Sequence, residues 1–185
     1  MSTRRARYAT FVRGINLGRH RRVSSTELGS HFEKLGLGDV ATFRTSGNVV
    51  FEAGGESANK LKKRIEQRLE GKLGYEVTIF LRTASQVRAI ATHEPFPRTA
   101  VESSKGKLQV LILPAKPATQ KRKDVLALAT GEDELAFGDR ELYWLPSGGT
   151  RDSGLDLQAI EGLIGPTTMR TKSTIEQLVT KYFAG

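Results

Sequence analysis

The sequence predicts an α+β protein built from two β-α-β-β-α-β subdomains and a C-terminal helix. Three observations carry this reading. Short runs of alternating apolar residues are separated by stripes of helical period. The same order of elements recurs in the second half of the 185 residues. Clusters of Gly, Pro, Asn and Ser punctuate the elements, and no low-complexity linker separates the halves.

In the first half, residues 7–12 read as a strand, with Tyr8, Thr10 and Val12 on one face and Ala9 and Phe11 on the other. Gly14 and Gly18 break it. Ser24-Ser25-Thr26-Glu27 is a capping box, with Ser24 as N-cap and Glu27 at N3. The helix it starts carries Leu28, Phe32 and Leu35 on one face and stops at Gly36. Strands over 40–44 and 48–52 flank the turn signal Ser46-Gly47 and form a hairpin. Ser57 caps a second helix with Leu61, Ile65 and Leu69 on one face and Lys60, Lys63, Arg64 and Lys72 on the other. A closing strand over 76–82 alternates Val77, Ile79 and Leu81. This order is that of the ferredoxin-like plait.

The second half repeats it. A short connecting helix over 84–92 is ended by Pro95-Phe96-Pro97. A strand over 107–113 and a break at Pro114-Ala115-Lys116-Pro117 precede a helix over 119–129. Strands over 134–137 and 140–145 join at Gly138-Asp139. Pro146-Ser147-Gly148-Gly149 is a loop, and Ser153 caps a helix with Leu157, Ile160 and Leu163 that ends at Gly165-Pro166. Residues 167–170 close the sheet, and 173–183 form the final amphipathic helix. The repeat is one of topology, without residue identity between the halves. The subdomains are read as 1–83, which is basic, and 84–185.

Hydrophobic residues make up 38% of the chain, enough for a packed core. No apolar run is long enough to span a bilayer, and no apolar segment follows the basic N-terminus as a signal peptide requires. The absence of cysteine excludes disulfides, thiolate nucleophiles and cysteine-based zinc sites. His20, His31 and His93 are too widely spaced for a helical metal motif. These features point to a cytoplasmic protein without membrane, metal or cofactor. Charge is distributed unevenly. Residues 1–90 hold 17 Lys and Arg against 8 Asp and Glu, whereas 91–185 hold 12 of each, so the whole net charge of +9 lies in the first half. Residues 1–24 contain seven arginines (Arg4, Arg5, Arg7, Arg13, Arg19, Arg21 and Arg22) and no acid. Such a field attracts polyanions and anionic ligands; its plainer role is to solvate the surface.

Four segments carry a resemblance. Phe11-Val12-Arg13-Gly14-Ile15-Asn16-Leu17-Gly18 resembles the L-L-R-G-I-N-V-G opening of the bacterial DUF1697 family, a domain of unknown function. Thr42-Phe43-Arg44-Thr45-Ser46-Gly47-Asn48-Val49-Val50-Phe51 resembles its T-Y-I-Q-S-G-N-V-V-F segment, Glu94-Pro95-Phe96 its N-P-F, and Thr168-Met169-Arg170-Thr171-Lys172-Ser173-Thr174 its T-x-R-N-x-x-T. Arg19 and Arg21 stand where the family tends to have Gly and Asn, and Thr171 replaces the Asn of the last motif. The resemblance implies two ferredoxin-like subdomains and no established activity.

In a plait, the ends of the first and second strands and the start of the third share one sheet edge. Arg13, Gly14, Asn16 and Gly18 therefore meet Ser46, Gly47 and Asn48. Glycines permit close backbone approach, successive N–H groups form anion nests, and arginine offers a bidentate fork to phosphate or carboxylate. Each residue also has a purely structural reading, since Ser-Gly-Asn is an ordinary turn and Asn16 can bond its own loop. Arg170 lies just before hydroxyls that cap the final helix; it either turns toward Arg13, Asn16 or Asn48, or pairs locally with Asp152 or Asp156. Tyr143 and Trp144 read as core or interface, His20 as part of the basic loop, and Glu132-Asp133-Glu134 as a solvated turn. Ser147-Gly148-Gly149 lacks the Lys-Ser/Thr of a P-loop, and no nucleophile elbow is present. Three functions follow. The first is a binding module for an anionic small molecule, nucleotide or nucleic acid. The second is an enzyme using the same edge, with Arg13 as electrophilic clamp. The third is a protein-interaction module. Neither edge motif contains His, Asp, Glu or Cys, which ranks the enzyme below the binder.

Overall fold

The computed structural model describes residues 5–16 and 22–184. The chain divides into two compact units, one running to Val87 and the other spanning Arg88–Ala184. The first contains β1 (Ala6–Val12), α1 (Ser25–Glu33), β2 (Gly38–Phe43), β3 (Asn48–Ala53), α2 (Ala58–Leu73) and β4 (Ile79–Thr83). Its sheet has the order β2-β3-β1-β4, and every neighbouring pair is antiparallel. Both expected caps form: Ser24 Oγ accepts from Glu27 N at 3.0 Å and Ser57 Oγ from Lys60 N at 3.3 Å. Leu28 and Phe32 from α1 and Leu61, Ile65 and Leu69 from α2 pack on Val12, Val49, Phe51, Ile79 and Leu81 of the sheet. β4 starts at Ile79 rather than at 76. The N–H groups of Val77 and Ile79 are taken by the Glu70 and Glu66 carboxylates of α2, so the chain is held to the helix before it joins the sheet.

A helix α3 (Ala84–Thr92) runs through the division between the units. The second unit continues with α4 (Arg98–Ser103), β5 (Gln109–Ile112), α5 (Thr119–Leu126), β6 (Glu134–Phe137), β7 (Glu141–Leu145), α6 (Leu157–Ile164), β8 (Thr168–Thr171) and α7 (Lys172–Tyr182). Its sheet order, β6-β7-β5-β8, repeats the first, again antiparallel throughout. Two ferredoxin-like subdomains and a terminal helix are thus present. Helix α4 was not expected, because six residues are too few to show a period. Among the described residues, no helix is long and apolar enough to cross a membrane.

Two expectations change in the second unit. The N-cap of α6 is Asp156, which accepts from Ala159 N at 2.9 Å, and not Ser153. Ser153 is drawn elsewhere: its hydroxyl donates to Asp133 at 2.6 Å. Asp133 is not in a solvated turn. It is buried and also accepts from Trp144 Nε1 at 3.0 Å and Thr130 Oγ1 at 2.7 Å. Burial pushes its pKa up, but the bonds from Ser153, Thr130, Trp144 and the Ser147 backbone outweigh this and hold it below the usual carboxylate value.

The repeat also extends to residues. Arg82-Thr83-Ala84-Ser85 ends β4 and opens α3, and Arg170-Thr171-Lys172-Ser173 ends β8 and opens α7. Arg82 pairs with Ala9 of β1, and Arg170 with Val110 of the equivalent β5. Each guanidinium donates to the carbonyl of the residue before it, Leu81 at 3.1 Å and Met169 at 2.8 Å. Each threonine hydroxyl caps the next helix, accepting from Gln86 N and from Thr174 N. Strand thus passes to helix with no loop between them.

Two stability predictions follow. Asp133→Ala removes the acceptor of three side-chain donors, and urea unfolding should show a loss of about 2–3 kcal/mol. His31 on α1 is buried, and neither ring nitrogen has a hydrogen-bond partner among the described residues. Its pKa is lowered from 6.5, first by burial and then by the Arg68 charge. The unfolded chain therefore binds the proton more readily, so stability is lost as pH falls below 6.5 toward the folded value. Unfolding curves at pH 7.5 and pH 5.5 should show this loss (both chosen to bracket about 6.5), and His31→Leu should reduce it.

Candidate functional site

The register of the first sheet brings the expected segments together: Asn48 at the start of β3 pairs with Phe11 of β1 and with Phe43 of β2. Val12 N donates to Gly47 O at 2.8 Å, which ties the end of β1 to the β2–β3 turn. Arg13 N donates to Thr78 O at 2.9 Å on the other side. These two N–H groups are committed to the backbone and take no part in an anion nest. Gly47 has φ +79°, and a Cβ there would lie 2.7 Å from Ile15 Cδ1 and 3.0 Å from Val12 Cβ. Gly14 has φ +74°, which turns the chain out of β1.

Both asparagines act within this arrangement. Asn16 Nδ2 donates to Thr45 O across the edge, and its Oδ1 accepts from Val23 N at 2.9 Å. One side chain thus joins the turn to the approach to α1. Asn48 is 1% exposed, and its Nδ2 donates to Phe43 O at 2.9 Å and Ser46 Oγ at 3.0 Å. It closes the turn from inside. Both amides shape the edge, and Asn48 presents almost no surface.

What faces outward is cationic and hydroxylic. Arg13 is half-buried, while Arg44, Thr45 and Ser46 are exposed. Arg44 has φ +58°, a left-handed conformation uncommon for arginine, and its guanidinium lies 5.5 Å from the centroid of the Phe43 ring. Sequence reasoning passed over Arg44, because arginine carries no local signal for positive φ; only the pairing of Phe43 with Asn48 places it there. Gly18, with Arg19, His20 and Arg21, lies outside the described residues.

The remaining candidates are placed as follows. Phe11 and Phe51 on the central strands are 0% exposed, so neither ring offers a base-stacking surface. Tyr143 and Trp144 are core residues; the Tyr143 hydroxyl donates to Ile90 O at 3.2 Å, and burial raises its pKa. Arg170 belongs to β8 of the second unit, and its Nη1 donates to Thr168 Oγ1 and Met169 O, both at 2.8 Å. Burial lowers its pKa to about 10, which leaves it charged at neutral pH. Among the described residues no cluster of three His, Cys, Asp or Glu is arranged to hold a metal ion.

A family described as "Protein of unknown function (DUF1697)" matches residues 5–143. Among solved structures, the chain is similar to the conserved bacterial protein SP0830 from Streptococcus pneumoniae, with a TM-score of 0.73 and 20% identity over 96% of this chain and 98% of that one. At this identity the likeness is one of fold. Comparison with curated proteins yields no match.

The packing of the edge makes a measurable claim. Gly47→Ala forces a Cβ into occupied space at a positive φ and should destabilise the protein by about 2–4 kcal/mol. Asn48→Ala leaves the Phe43 carbonyl without this donor and should cost about 1–3 kcal/mol. Chemical denaturation measures both.

Proposed function

The chain belongs to the DUF1697 family of proteins of unknown function, and we propose that it binds a phosphate-bearing ligand at the edge of the first sheet. The observation that carries this reading is the stapling of two distant loops so that Arg13 and Arg44 share one edge with Ser46. That edge belongs to the half of the chain that holds the entire net charge of +9. Guanidinium groups bind phosphate by paired charge-assisted hydrogen bonds, and a one-signed field raises the encounter rate. A non-glycine residue in the left-handed region costs about 1 kcal/mol or more, and such strain concentrates at binding sites. Arg44 is in that position. The burial of Phe11 and Phe51 favours contacts to phosphate over stacking on bases.

Arg44→Gly separates binding from folding, because glycine adopts φ +58° without strain. Thermal unfolding should show a Tm equal to or above the parent's. The Tm increase caused by a nucleoside triphosphate, a sugar phosphate or a short single-stranded oligonucleotide at low salt should fall, with about tenfold weaker affinity. Binding of the oligonucleotide should weaken steeply as salt rises, whereas a small phosphate ester should be less salt-dependent. If none of the three probes raises Tm at low salt, or if Arg44→Gly binds them as the parent does, the reading fails.

A further inference from the structure

The second unit contains a cavity of about 490 Å³, a volume typical of small-molecule sites. It forms where the Glu94-Pro95-Phe96 segment meets α4, the entry to β5 and the first turns of α7. Its apolar wall is Pro95, Phe96, Val101 and Leu108. The frame is fixed by hydrogen bonds: Lys172 N donates to Leu108 O at 2.9 Å, and Ser104 Oγ to Pro146 O at 2.6 Å. Lys172 is itself buried, and its Nζ donates to Ala91 O at 2.8 Å and to Glu176 at 2.6 Å.

The charges lining this cavity fall into two groups. Lys172 with Glu176, and Arg98 with Glu102 at 2.7 Å, neutralise each other. The side chains of Glu94 and Lys107 also line it and have no hydrogen-bond or ion-pair partner among the described residues. One carboxylate and one ammonium of opposite sign thus stand at the rim of a partly apolar cavity. Ser173, at the start of α7, lines the same cavity. We propose that this cavity binds a small zwitterion with an apolar body, of the amino-acid or dipeptide class. Glu94 receives its ammonium group, and Lys107 receives its carboxylate. The site is independent of the phosphate-binding edge, whose residues all lie in the other unit.

Calorimetry and ligand-observed NMR on the full chain test this, with leucine, phenylalanine and leucyl-leucine as probes. At least one should bind. N-acetyl-leucine and leucinamide, each lacking one charge, should bind about tenfold more weakly or not at all. Glu94→Gln and Lys107→Met should each weaken the zwitterion by a similar factor while leaving Tm unchanged, since both residues are exposed. Val101→Trp, which fills the cavity without altering charge, should abolish binding. The proposal is overturned if no zwitterion binds at millimolar concentration, if the singly charged analogues bind equally well, or if neither charge variant changes affinity.

Discussion

Position 47 is crowded and its backbone is left-handed, so it disfavours any side chain. Val12 and Ile15 press against the Gly47 backbone so closely that even a Cβ would collide with them, and the rest of the first unit is arranged around this contact. Because the backbones approach, Val12 N reaches Gly47 O and the β2–β3 turn is locked to the end of β1. Asn16 is then within reach of Thr45, and its other amide atom receives Val23 N, so the chain re-enters beside the capped start of α1. Leu28 and Phe32 follow at the spacing that places them on the sheet. Within this turn, between the paired Phe43 and Asn48, Arg44 has a left-handed conformation. This close contact, the Val12–Gly47 bond and the two Asn16 bonds together tie the hairpin turn to the end of β1 and to the approach to the first helix.

Buried polar groups perform the corresponding task in the second unit. The Asp133 carboxylate gathers Trp144, Ser153 and Thr130, joining the start of β6 to β7 and to the loop before α6. Removing a carboxylate from water is unfavourable, and it is tolerated here because several donors converge on it. Arg82 and Arg170 follow the same rule at equivalent places in the two units. Each meets its preceding carbonyl while the following threonine caps a helix. At both junctions the Arg-Thr-x-Ser pattern accompanies a strand that passes directly into a capped helix.

The two units differ in electrostatics although they share a topology. The first half carries all the excess positive charge and turns arginines outward at a sheet edge; the second is balanced and lines its cavity with charges of both signs. Two plaits of one topology can differ in surface charge without a change of fold, because the sheet and its helices are specified by apolar periodicity and caps while surface charge varies independently.

The sequence by itself determined the strand order within each half, the capping of α1 by Ser24 and α2 by Ser57, the Leu61, Ile65 and Leu69 stripe, and the meeting of the 13–16 and 46–48 segments at one edge. All of these are encoded within a few neighbouring residues or follow from strand order. Tertiary structure decided which atoms the polar residues spend their bonds on. Asn16 finds Thr45, 29 positions away, and Asp133 finds Ser153, 20 positions away. It also drew Ser153 away from the α6 cap, which Asp156 supplies, and placed Arg44 on the edge. The physical reason is that a buried donor or acceptor must be satisfied by whatever the fold brings within about 3 Å, and that neighbour is set by packing across the chain rather than by the residues beside it.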